Sequence, residues 1–147
     1  MSSFEIQKVN PKLLKSIRQR VLLPHKTVEE CFIEGEEDPN SLHFAVLNGE
    51  DIIGCASFVS QDCEFNEITN SYRLRQMGIE PNFQGQGLGK QLLRVGVLEL
   101  QDNGVKYLWC NARRVAYQFY LNLGFEYLSD EFDIAKIGPH KVMGRSL

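Results

Sequence analysis

Gly85, Gly87 and Gly89 alternate within the stretch QGQGLG, between an apolar run that ends at Pro81 and a segment with helical spacing. Residues without a Cβ at a helix start let a ligand approach the backbone closely. The free N–H groups there, aided by the helix dipole, make a compact site for a pyrophosphate. Two known phosphate devices do not fit the spacing. A nucleotide P-loop needs GxxxxGK followed by Ser or Thr; here only three residues separate Gly85 from Gly89, and Gln91 stands where the metal-binding hydroxyl belongs. A dinucleotide fingerprint needs GxGxxG near the first strand, with an acidic residue about 20 positions later. In this chain the third glycine comes one residue early, and the loop lies past mid-chain behind a hairpin. A ligand-free turn would explain one or two of these glycines, whereas three at alternate positions opening a long helix point to a bound anion.

The elements that must position this loop can be read from periodicity. A short strand is expected at SFEIQKV, then a helix over NPKLLKSIRQRVL with Asn10 as N-cap, Pro11 at the first helical position, and Leu13, Leu14, Ile17 and Val21 on one face. TVEECFI reads as a second, short helix capped by Thr27, with Glu30 completing a capping box, and EGEEDPNS reads as a polar loop. Two apolar runs flank Asn48-Gly49, a hairpin signal. SYRLRQMGI alternates Tyr72, Leu74, Gln76 and Gly78 against Arg73, Arg75, Met77 and Ile79, which predicts one long strand up to Pro81. Leu88, Leu92, Leu93, Val95, Val97, Leu98 and Leu100 form a helix stripe that ends near Asn103-Gly104. VKYLWC is a further strand, Ala116, Phe119, Tyr120 and Leu123 lie at helical spacing with Gly124 as C-cap, and strand-like runs around Phe132 and Val142 follow. Strands alternating with helices in the second half suit an α/β (α+β) domain, a central sheet flanked by helices.

Composition narrows the setting. With 147 residues, 43% of them hydrophobic, the chain suits a single domain, residues 1–147. A net charge of −3 argues against nucleic acid or an anionic membrane as partner, since both need a basic footprint. Cys31, Cys55, Cys63 and Cys110 form no CxxC pair and read as reduced, buried thiols. No basic-then-apolar leader opens the sequence and no apolar run reaches the roughly 18 residues of a membrane span. The expectation is a cytoplasmic protein.

The glycine loop resembles the acetyl-CoA loop of the GNAT superfamily of N-acetyltransferases, Arg/Gln-x-x-Gly-x-Gly/Ala, which Gln84 to Gly89 fit directly. A second family element, an Ala-x-x-x-Tyr-x-x-x-Gly-Phe helix, matches Ala116 to Phe125 in the right order and spacing. The segment FDIAKIGPHKVM is similar to the close of the ElaA-like small-molecule branch. The resemblance implies a single-domain GNAT-like fold with a mixed, mostly antiparallel sheet, and an acyltransferase that uses acetyl-CoA as cosubstrate and no metal. It implies that the main chain of Met77, Gly78 and Ile79 pairs with the pantetheine arm as an added strand would. Gln84, Gly85, Gln86, Gly87, Leu88, Gly89 and Lys90 would present N–H groups to the pyrophosphate. The Lys90 side chain either adds charge there or is simply an exposed helix residue. Asn111 and Phe119 would line the far side of the arm, although Arg113 stands where many relatives place an amide.

In such a site a substrate amine attacks the thioester within one ternary complex, a base takes the ammonium proton, and the departing thiolate needs a proton or a hydrogen bond. Tyr120 occupies the family's acid position. With reference values of about 10 for Tyr and about 8.5 for a thiol, full proton transfer is uphill by roughly 2 kcal/mol, so hydrogen bonding to the sulfur is the expected role. The strand positions near a base, Arg73, Arg75 and Gln76, are not acidic. That leaves a backbone-held water, Glu67, Glu30 or His140, of which His140 is preferred because imidazole titrates at about 6.5. Arg18 and Arg75 either bind an anionic part of the substrate or make ordinary ion pairs; Arg75 is assigned to the substrate. The expected reaction is acetyl transfer to the primary amine of a small molecule, with a homodimer left open. The alternatives are a silent acyl-CoA sensor and a protein or peptide amine acetyltransferase.

Overall fold

The computed structural model describes residues 3–147. One sheet runs in the order β1 (Phe4–Lys8), β2 (Leu42–Asn48), β3 (Asp51–Ser60), β4 (Ser71–Ile79), β5 (Tyr107–Arg113), β8 (Gly138–Ser146), β6 (Glu126–Tyr127), and β7 (Phe132–Ile134) also pairs with β8. Only β4 and β5 are parallel, because the helix α2 (Leu88–Asp102) between them carries the chain back across the sheet. The mixed sheet flanked by helices is the architecture that periodicity and resemblance led us to expect.

Several local signals are met in the structure. Asn10 caps the first helical turn by accepting from the Lys12 N–H at 2.9 Å, and Pro11 follows it. Gly124 closes α3 (Tyr117–Asn122) at φ 88°, with the Phe125 N–H on the Tyr120 carbonyl at 3.1 Å. The hairpin loop forms one residue later than the dipeptide signal suggests: Asn48 pairs with Asp51, so Gly49 (φ 64°) and Glu50 are the turn residues. α2 lays Leu88, Leu92, Leu93, Val97 and Leu100 on the sheet, each buried leucine contributing about 1.5–3 kcal/mol. Gly96 is equally necessary on that face, since a Cβ there would overlap the Phe58 ring. Val95 and Leu98 are exposed and leave the stripe drawn from the sequence, as does Leu13 in the first helical stretch.

That first stretch is not one regular helix. It opens as a 3₁₀ turn (Pro11–Leu14), passes one α turn, α1 (Lys15–Ile17), and ends in a π turn (Arg18–Leu22). The reason lies in Arg18, which is fully buried and holds Glu36 Oε1 at 2.8 Å, the Cys31 carbonyl at 3.0 Å and Ser57 Oγ at 3.0 Å. Arg18 therefore makes a structural ion pair and is unavailable to a substrate. TVEECFI forms turns and no helix. The capping box is present, Thr27 N–H on Glu30 Oε1 at 2.9 Å and Glu30 N–H on Thr27 Oγ1 at 3.3 Å, but buried Cys31 and Ile33 draw the chain inward before a helix can propagate.

Candidate active site

A gap through the sheet is the feature from which the site is built. β4 and β5 pair only from Ser71 opposite Tyr107 to Arg73 opposite Trp109. Beyond that point β4 continues to Ile79 beside β3, while β5 follows β8 through Asn111–Val142, Ala112–Lys141 and Arg113–His140. The strands diverge around a cleft of about 530 Å³.

A bulge helps to open it. Cys55 faces Gly78 and Ser57 faces Arg75, so Gln76 and Met77 together oppose Ala56, with Gln76 at φ 53°. The strict alternation expected for this strand therefore breaks at Gln76. Leu74 and Ile79 both reach the main core, while Arg73, Arg75 and Gly78 share the opposite face. Gly78 has its own reason to lack a side chain, since a Cβ would lie 2.9 Å from Leu22 Cδ2, on the π turn that covers it. The Glu80 N–H donates to the Ile53 carbonyl at 2.8 Å. Counting back by alternation, the main-chain groups of Ile79 and Met77 turn away from β3 toward the gap. The Ile79 carbonyl already accepts from Gln84 Nε2 at 2.9 Å, so the Gln84 side chain braces the end of β4.

The glycine loop borders a second hollow of about 460 Å³ that shares Ile79 and Gln84 with the first, so the two form one trench. Gly85 and Gly87 both sit at φ 80°, a conformation that favours glycine, and Gly87 is the N-cap of α2. The first intrahelical bond at this end runs from the Gln91 N–H to the Gly87 carbonyl, leaving the N–H groups of Leu88, Gly89 and Lys90 without helical acceptors. Gly89 faces Phe119 at 3.6 Å from a would-be Cβ, ordinary contact, so its side of the trench is narrow without being closed. Lys90 and Phe119 line the same hollow, whereas Gln86 is exposed and reaches back to the Phe83 carbonyl at 3.4 Å. The loop thus presents three N–H donors free of helical acceptors beside this hollow.

Tyr120 and His140 reach the cleft from opposite faces of the sheet. Along β5, Leu108, Cys110 and Ala112 enter the main core, and Tyr107 and Trp109 enter a smaller cluster on the other side. Asn111 and Arg113 follow Trp109 by alternation, and His140 joins them as the cross-strand partner of Arg113. Tyr120 stands on the core side, against Phe119 at 5.2 Å and Phe125 at 5.1 Å between ring centroids. Burial, and then the neighbouring Cys110 thiol, hold its hydroxyl well above the usual phenol range. Burial also pushes the Cys110 thiol up to about 12. With both groups held above their ordinary ranges, Tyr120 and Cys110 keep their protons, which leaves the Tyr120 hydroxyl a donor. His140 stacks on Phe132 at 6.0 Å, and its Nδ1 lies 2.7 Å from the Gly138 carbonyl. A carbonyl can only accept, so Nδ1 carries the proton and Nε2 of the neutral ring keeps its lone pair.

Of the residues singled out from sequence, the trench brings together Met77, Gly78, Ile79, Gln84, Gly85, Gly87, Leu88, Gly89, Lys90, Asn111, Phe119, Tyr120, His140 and Arg75. Glu30 is held in its capping box and Glu67 lies in an exposed loop; neither lines the trench. Sequence reasoning gave no role to the walls Val115, Ile134 and Ile137, or to Arg113, whose Nη2 donates to the Leu22 carbonyl at 3.0 Å and ties β5 to the π turn. It also missed His43, whose ring joins Ser57 Oγ at 2.8 Å and the Glu36 carbonyl at 2.8 Å in the network around Arg18.

Comparison with known proteins decides the family. Residues 39–127 match the model of the acetyltransferase (GNAT) domain. The chain belongs to the GNAT acetyltransferase family. It is 32% identical over 143 residues to the uncharacterized N-acetyltransferase YitI of Bacillus subtilis, covering 97% of this chain and 96% of that one. Its fold matches that of Escherichia coli ElaA over 99% of both chains, with a TM-score of 0.78 at 14% identity. It also matches the PaiA N-acetyltransferase of Thermoplasma acidophilum, solved in complex with coenzyme A, over 99% of both chains with a TM-score of 0.67 at 16% identity. As a GNAT protein the chain is an acetyl-CoA-dependent acyltransferase. No group of three or more His, Cys, Asp or Glu among the described residues could hold a metal ion, and no helix among them is long and apolar enough to cross a membrane.

Proposed function

We propose that this GNAT protein transfers the acetyl group of acetyl-CoA directly to the primary amine of a small molecule. The observation that carries the reading is that the hollow at the glycine loop adjoins, at Ile79 and Gln84, the gap between β4 and β5, a cleft walled by the Val21–Leu23 segment and by Ile134 and Ile137. A cleft of about 530 Å³ is in the range of small-molecule sites.

The free N–H groups of Leu88, Gly89 and Lys90 would hold the pyrophosphate, with the α2 dipole behind them. The main chain of Met77 and Ile79 would pair with the amides of the arm, and Phe119 and Asn111 would line its other side. That path brings the thioester to the gap. His140 Nε2, directly or through a water, would take the proton from the attacking ammonium. The Tyr120 hydroxyl would donate a hydrogen bond to the leaving sulfur; with its acidity weakened by burial it helps as a donor and keeps its proton at rest. The high pKa of Cys110 leaves almost no thiolate to take the acetyl group, which favours direct transfer over a covalent relay.

The test is a panel of small amines, with peptides beside them, assayed by release of free thiol from acetyl-CoA. Acceleration by small amines alone is the expected result. Acceleration by peptides alone would replace the acceptor class, and slow hydrolysis that no amine accelerates would leave an acyl-CoA sensor.

A further inference from the structure

The acceptor side of the cleft is cationic in a protein whose net charge is −3. Arg73, Arg75, Arg113 and Lys26 line it, and no Asp or Glu among the described residues does. Arg73 and Arg75 stand two apart on one face of β4, roughly 6–7 Å from each other along the strand. Arg73 is fixed by stacking on Trp109, 5.0 Å from guanidinium carbon to ring centroid, while its buried Nε has no hydrogen-bond partner. Arg75 is half-buried and within reach of the charges of Glu34 and Arg18, yet it makes no side-chain hydrogen bond or salt bridge to any described residue. Beside them Gln76 Oε1 is also buried and unpartnered. Four buried side-chain atoms lack partners among the described residues, and two of them, a donor on Arg73 and an acceptor on Gln76, belong to this one cleft. Native interiors seldom leave such atoms unsatisfied without a ligand or a water to meet them.

We propose that the acceptor is an amine that also carries a carboxylate, its anion held by Arg75 and Arg73 and its amino group directed to Gln76 Oε1. The inference rests on the small-molecule acetyltransferase reading and narrows it to aminocarboxylates. Planar guanidinium forks match a carboxylate's two oxygens. The same positive field disfavours the ammonium form of a bound amine and so lowers its pKa, which assists deprotonation where no acidic base is at hand. A polyamine, with cationic charge and no anion, would be repelled.

The experiment compares amino acids with the amines that lack their carboxylate, phenylalanine beside phenethylamine and leucine beside isoamylamine, with spermidine and phosphoethanolamine as further arms. Rates come from thiol release, and binding in the presence of CoA comes from the fluorescence of Trp109, the single tryptophan of the chain, on which Arg73 stacks. Loss of charge-assisted hydrogen bonds is worth about 10- to 100-fold, so the amino acids should exceed their partners by that factor in kcat/KM. Arg75→Met, or Arg75→Gln if the first variant does not fold, should erase the preference while the acetyl-CoA Kd stays within about twofold. Equal or better turnover of the partners that lack the carboxylate, of spermidine or of phosphoethanolamine would overturn the inference and leave the transferase reading intact. If no amine is turned over, a saturable Trp109 response to amino acids that Arg75→Met abolishes would still support the carboxylate site. Absence of that response would overturn it.

Discussion

Replacing Tyr120 by Phe separates chemistry from packing. The ring contacts with Phe119 and Phe125, at 5.2 and 5.1 Å, survive the change, and the hydroxyl's hydrogen-bonding neighbour is the weakly polar Cys110 thiol. A neutral hydrogen bond contributes about 0.5–1.5 kcal/mol net, so losing the hydroxyl's interaction with a weakly polar thiol should cost about 1 kcal/mol or less. In a domain of this size that is a fall in Tm of at most about 4 °C. Loss of help to the leaving thiolate is worth about 10²- to 10⁴-fold in rate. At 1.36 kcal/mol per decade that is roughly 2.7–5.4 kcal/mol, so turnover should fall far more than stability. Measured together, kcat by thiol release should drop at least about 100-fold, the acetyl-CoA Kd should hardly move, and the melting curve should shift slightly. A variant that turns over normally and melts many degrees lower would refute the reasoning and make Tyr120 a core residue.

Gly87→Glu should abolish acetyl-CoA binding, because φ 80° strains any side chain and a carboxylate would enter the anion cradle, while Gln86→Ala should bind normally; calorimetry with matched circular dichroism checks both. His140→Gln should lower kcat by about 10²-fold or more with little change in the acetyl-CoA Kd, since a positioned general base is lost; an unchanged rate would point to a water held by backbone. Glu36→Gln would strand the Arg18 guanidinium in the core and should destabilise by about 3–5 kcal/mol in urea unfolding, without altering the sequence of the trench. Burial, reinforced by the charge of Arg18, holds the His43 pKa below its ordinary value. The unfolded chain therefore binds that proton first, and the stability His43 contributes is present above about pH 6.5 and declines as pH falls below it. His43→Asn should flatten the urea-midpoint slope between about pH 7 and 5.

What could be read from sequence was whatever is encoded locally. The QGQGLG spacing, the Asn10 cap, the Gly124 stop and the Ala116–Phe125 helix are signals carried by neighbouring residues, and each appears where expected. The gap itself is not local. It depends on the bulge at Gln76, which shifts the facing of every later residue on β4, and nothing in a polar Gln between Arg75 and Met77 marks a left-handed position. Arg18 shows the same limit: its position in the first helical stretch is unremarkable, yet Glu36, Ser57 and the Cys31 carbonyl, distant in sequence, hold it in the core, and the helix passes from the α turn of α1 into a π turn at that residue. Thr27 and Glu30 formed their capping box, but tertiary burial of Cys31 and Ile33 outweighed a helix start worth about 1 kcal/mol. Arg73 was legible in one respect, since cations two apart on a strand must share a face.

Direct transfer is tested most directly by a single-turnover experiment with acetyl-CoA labelled in its acetyl group, first without and then with an accepted amine, followed by mass spectrometry of the protein and the amine. The account predicts an unlabelled protein in both cases, label appearing on the amine only when it is present, and the same outcome in Cys110→Ala. Label accumulating on Cys110 before the amine is added, and passing from it to the amine afterwards, would contradict it.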